Sequence, residues 1–130
     1  MVMISDPIGD MLTRIRNGYM AGNKNVTMPY SKSREAVVKV LIENKILADY
    51  QKDTKTLKKT LIVKLVEGRR RPFEIKRVSK PGRRIYLSNK NFYKVKGDQG
   101  VLIISTSKGV MDNKKANKLK IGGEIIAEIF

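Results

Sequence analysis

The sequence predicts an α+β fold in two small, closely packed lobes. Two stretches carry apolar residues at helical spacing, at 7–19 and 31–44. Two others, 61–66 and 73–78, alternate in the manner of half-buried strands. A short apolar run at 101–104 and a closing segment at 124–130 supply further strands toward the C-terminus. Helices therefore gather in the first part of the chain and strands in the second, which is an α+β order.

The elements follow in turn. Ser5-Asp6-Pro7 reads as a helix start, with a capping side chain and then proline in the first turn. Ile8, Met11, Leu12, Ile15 and Tyr19 share one face, which leaves Arg14 and Asn17 on the wet side. Val26-Thr27-Met28 is a short strand ahead of Pro29, and Ser31 or Ser33 caps a second helix to about Asn44 with Val37, Val38, Leu41 and Ile42 inward. Ile46-Leu47 opens an extended segment. Leu61 to Val66 and Phe73 to Val78 form strands joined by an arginine turn at 68–72. Ser79-Lys80-Pro81-Gly82 is a turn signal. It separates an N-terminal lobe at 1–78, ordered helix-strand-helix-strand-strand, from a C-terminal lobe at 79–130 that is mainly β with one short helix. In the second lobe, 84–87 and 101–105 are strands, Asp112 caps a helix carrying Ala116 and Leu119, and Gly122-Gly123 turns into the last strand. Phe73, Tyr93 and Phe130 are assigned to packing.

Composition narrows the function. The 130 residues include no cysteine and no histidine, which excludes disulfides, zinc sites, thiol nucleophiles and imidazole acid–base chemistry. The 12 carboxylates are scattered, no Gly-rich phosphate loop follows a strand, and only Lys108 is placed to activate a serine near residue 105. No catalytic residue, metal or cofactor is expected. No run approaches the roughly 20 apolar residues of a membrane span, and the N-terminus lacks the pattern of a secretory signal.

Charge is the dominant signal. Lys and Arg number 28 against 12 Asp and Glu, a net of +16. Residues 55–96 hold 15 basic side chains and only Glu67 and Glu74, a net of +13. Charge so concentrated repels itself, and a polyanion offsets that cost. Nucleic acid is the commonest such partner. An anionic membrane surface fits less well, because the basic segment is not one amphipathic helix. Lys80, Arg83 and Arg84 suit phosphates, and Tyr86 is either a stacking platform for an unpaired base or a core residue.

The apolar run at 101–104 ends in Ser105-Thr106-Ser107-Lys108-Gly109. Hydroxyls both donate and accept, so they serve phosphates, ribose hydroxyls and base edges alike, and the wide minor groove of RNA admits such short side chains. The alternative is a serine-rich turn that merely leads into the helix at Asp112.

These stretches together carry a resemblance. Asp6 to Gly18 (DPIGDMLTRIRNG), Met28-Pro29-Tyr30-Ser31-Lys32, Arg77 to Tyr86 (RVSKPGRRIY), and Ser105 to Met111 (STSKGVM) with Gly122-Gly123-Glu124 resemble, in order, the motifs of the ribosomal protein S8 family of the bacterial small subunit. The resemblance implies a structural constituent of the cytoplasmic ribosome. It implies a primary binder of the central domain of small-subunit ribosomal RNA that helps assemble the platform. By the same resemblance Ser105, Thr106, Ser107, Lys108, Gly109, Gly122, Gly123 and Glu124, with Tyr86 nearby, contact an irregular RNA helix. Arg14, Asn17, Ser31 and Lys32 contact a second one. Ribosomal proteins five and twelve, and the chain's own messenger RNA, are further implied partners. Gly9, Tyr30 and Arg83 depart from the family pattern.

Overall fold

A computed structural model describes residues 6–68, 73–95 and 99–130. The Ser5 cap and the arginines of the turn at 69–72 lie outside the described residues. The chain divides into two compact units, Pro7–Phe73 and a second that joins Asp6 to Glu74–Phe130.

The first unit sets two helices on a three-stranded antiparallel sheet. Helix α1 (Pro7–Ala21) buries Met11, Leu12 and Ile15, and α2 (Lys32–Glu43) buries Val37, Val38 and Leu41, the 3.6-residue spacing of each stripe. Ser31 rather than Ser33 caps α2: its Oγ accepts the Arg34 N–H at 3.2 Å. Strands β1 (Asn25–Pro29), β2 (Leu47–Asp53) and β3 (Thr60–Leu65) pair in the order β1-β3-β2. Leu61, Val63 and Leu65 of the central strand are essentially inaccessible, the expected result of alternation on a covered face.

In the second unit β4 (Ile75–Arg77), β5 (Tyr86–Leu87), β6 (Val101–Thr106), β7 (Gly109–Asp112) and β8 (Gly123–Ile129) form one antiparallel sheet. Strand β8 is its axis, paired with β6 on one side and with β4 and β5 on the other. Helix α3 (Asn113–Leu119) packs against it over a core of Leu102, Ile104, Met111, Ala116 and Ile125, and Asp112 caps the helix by accepting the Lys115 N–H at 2.8 Å.

Two features differ from the sequence reading. The division falls after Phe73 rather than after Val78, because Ile75 to Arg77 hydrogen-bond to Ile129 to Ala127 and so belong to the second sheet. Gly109 to Asp112 is a strand, not loop, so the hydroxyl segment is a tight hairpin. Helix α3 stops at the part-exposed Leu119 as Lys120 turns left-handed (φ 56°).

Candidate nucleic-acid interface

The register of the second sheet builds the site. Tyr86 pairs with Glu124, Glu124 with Ser105, and Ser105 with Val110, so one row crosses β5, β8, β6 and β7. Directly opposed residues in antiparallel strands share a face at about 5 Å spacing. The row lies on the face opposite Ile104 and Ile125, whose side chains are in the core.

Two glycines make this packing possible. A Cβ at Gly123 would sit 2.2 Å from the Ser105 carbonyl oxygen, and one at Gly122 would sit 2.4 Å from that of Leu87. Both obstacles are backbone, so only glycine lets β8 lie between β5 and β6 here. Tyr86 is 68% exposed, which answers the question its sequence left open: the ring is not in the core.

At the end of the row, Thr106 and Gly109 face each other across the two-residue turn Ser107-Lys108. The Thr106 hydroxyl donates to the Gly109 carbonyl at 2.8 Å and accepts the Lys108 N–H at 3.1 Å. Gly109 has φ +112°, a conformation costly for any side chain. Thr106 and Gly109 therefore shape the turn. The hydroxyls of Ser105 and Ser107 make no hydrogen bond among the described residues, and Ser107 and Lys108 are exposed.

The basic residues beside the row are held by a serine that sequence reasoning missed. Ser79 is 3% exposed; its Oγ accepts the Ile85 N–H at 2.9 Å and donates to the Ile85 carbonyl at 3.3 Å. That clamp closes a turn in which the backbones of Lys80 and Arg83 bond reciprocally at 3.0 and 2.9 Å. Lys80, Arg83 and Arg84 project from it, exposed. Arg84 Nη1 donates to Glu124 Oε2 at 3.1 Å, so the one carboxylate in the row is neutralised locally. The only sequence signal for the clamp was a serine placed ahead of Pro-Gly.

In the first unit, Arg14 and the start of α2 are joined through Asp10. Arg14 Nε and the buried Arg34 both donate to Asp10 Oδ2, at 2.9 and 3.1 Å. Arg14 also donates to the Thr27 carbonyl, and Arg34 to those of Pro7 and Pro29. Ser31 is spent as the α2 cap, whereas Asn17 and Lys32 are exposed. Tyr30 serves the fold of this unit. Its hydroxyl donates to Glu35 at 3.1 Å, as Tyr50 does at 2.9 Å, and Lys52 completes the cluster at 3.2 Å. Burial raises the Glu35 pKa, but the hydrogen bonds from Tyr50, Lys52 and Tyr30 outweigh it and hold the carboxyl below its ordinary value.

Across known proteins, residues 6–130 match the family model described as Ribosomal protein S8. The chain is 48% identical over 128 residues to the small ribosomal subunit protein uS8 of Hydrogenovibrio crunogenus, covering 97% of this chain and 98% of that one. It is 46% identical over 129 residues to that of Pseudomonas fluorescens, covering 98% of each. With the protein of the same name from Nitratidesulfovibrio vulgaris it shares 42% over 128 residues, 98% of this chain and all of the other. A family match over nearly the whole length, at this identity, establishes that the chain belongs to the ribosomal protein S8 family.

Proposed function

We propose that this protein is a structural constituent of the small ribosomal subunit, not an enzyme, and that it binds the central domain of small-subunit ribosomal RNA. The observation that carries the reading is the row Tyr86–Glu124–Ser105 beside the exposed Ser107-Lys108 turn of the β6–β7 hairpin. An exposed aromatic ring, two hydroxyls without hydrogen-bond partners among the described residues and a close-lying glycine pair match what an irregular RNA helix offers: unstacked bases and 2′-hydroxyls in a shallow groove. Lys80, Arg83 and Arg84 add phosphate contacts that position the protein without reading sequence. Arg14, Asn17, Ser31 and Lys32 form a second, smaller contact surface. Platform assembly, contacts with ribosomal proteins five and twelve, and binding to its own messenger belong to the same reading, on family grounds.

Filter binding of the full chain over a salt series tests it, with a ribosomal central-domain fragment, random RNA and duplex DNA as probes. All three should weaken steeply with salt, and the ribosomal fragment should bind more tightly than the others at every concentration. Equal affinity for the three would identify a packaging protein instead. Binding to anionic vesicles with none to RNA would identify a membrane-surface module.

A further inference from the structure

We propose that the second unit holds a further RNA-backbone site, in a groove remote from the hairpin turn; the proposal deepens the RNA-binding reading and rests on it. The groove has a volume of about 350 Å³, and Asn89, Lys90, Lys94, Asn113, Lys114 and Asn117 are among the residues that line it. It adjoins Gly100, just before β6, whereas the hydroxyl turn follows the other end of that strand. At about 3.3 Å per residue the two are separated by roughly 17–20 Å.

Its chemistry selects an anion. Lys90, Lys94 and Lys114 line it, and no carboxylate is among its described lining residues. Lys90 and Lys114 are exposed and make no ion pair among the described residues. Neighbouring ammonium groups repel one another, and a polyanion bound beside them offsets that cost.

The asparagines narrow the choice to a sugar–phosphate chain. Asn113 is fixed by accepting the Leu102 N–H on its Oδ1 at 3.2 Å, which leaves its amide N–H groups to donate. Asn89 donates from Nδ2 to Asn117 Oδ1 at 3.4 Å. That contact leaves an acceptor on Asn89 and donors on Asn117. Donors suit phosphate oxygens, and the acceptor suits a ribose 2′-hydroxyl, which DNA lacks.

The test compares the full chain, a Lys90→Ala/Lys114→Ala variant and a Lys24→Ala/Lys39→Ala control. The control removes the same charge from exposed positions of the first unit, outside the basic segment at 55–96. The probes are the ribosomal central-domain fragment and random RNA, and the readout is the slope of log affinity against log salt. The groove variant should lower that slope by about one to two units on both RNAs, a change the control does not reproduce. Its preference for ribosomal over random RNA should stay as in the unaltered chain. A groove-variant slope equal to that of the unaltered chain, or to that of the control, would overturn the proposal. An unaltered chain that showed no preference between the RNAs would defeat the ribosomal-RNA reading instead, and the slopes on random RNA would still decide the groove.

Discussion

Gly123 controls the candidate interface without offering it any functional group. Its missing Cβ leaves room for the Ser105 carbonyl oxygen, and neither backbone is free to retreat without unpairing β6 from β8. Gly123→Ala should therefore cost about 1–3 kcal/mol of stability or more, measured by urea unfolding, and should weaken RNA binding by misaligning Tyr86, Glu124 and Ser105. Ser79→Ala is expected to act on stability in a similar range, about 1–3 kcal/mol, because it removes a buried hydroxyl and the partner of the part-buried Ile85 N–H. The residue types of the interface were legible in the sequence; their roles were legible only in part. Thr106 and Ser105 look alike as letters, yet the Thr106 hydroxyl is consumed within its own turn while that of Ser105 is not. Likewise Ser31 is used as a cap and Arg14 is bonded to Asp10 and Thr27. Which hydroxyl is left over depends on strand partners, and partners distant in sequence leave no local pattern.

Among the elements, α2 and β2 are tied by the Glu35 cluster, and the tie is sensitive to pH at both ends. Glu35 is held below its ordinary value of 4.5 despite a burial penalty in the other direction. Its contribution to stability is thus present above 4.5 and lost as pH falls through the lower folded-state value. Tyr50 and Lys52 are shifted up from 10.0 and 10.5, in each case chiefly by the hydrogen bond to Glu35. Their contributions are present below those values and lost as pH rises through the folded-state ones. Glu35→Gln should flatten both edges of the stability–pH profile, as followed by thermal unfolding from about pH 3 to about pH 11. Tyr30 joins this cluster, and the Lys52 ammonium lies 5.5 Å from its ring centre. Helices were the most legible elements, since an apolar stripe every 3.6 residues and a Ser or Asp cap are local signals. The short strands were not. Gly109 to Asp112 offers only four residues, and its pairing with β6 comes from the hairpin turn rather than from any alternation of its own. The strand at 75–77 was legible as a strand, but its partner, some fifty residues downstream, was not.

For the whole molecule, the proposed function assigns affinity for a polyanion to the net charge of +16 and preference among polyanions to the sheet geometry. Composition alone revealed the first, because charges add whatever the fold. The second waited on the strand order, which assembles one row from residues 86, 105 and 124. These two layers reside in different side chains, so they make separable predictions. The most direct measurement is the ratio of affinities for ribosomal central-domain RNA and random RNA, determined across a salt series for the unaltered chain and for Ser107→Ala. The hydroxyl is exposed and makes no protein hydrogen bond among the described residues, so its removal should leave the fold unchanged. The ratio should fall by the equivalent of about 1–3 kcal/mol, through the partners left unpaired in the RNA, while the salt slope stays the same. A ratio unchanged by Ser107→Ala would contradict the division between the hydroxyl layer and the charge layer.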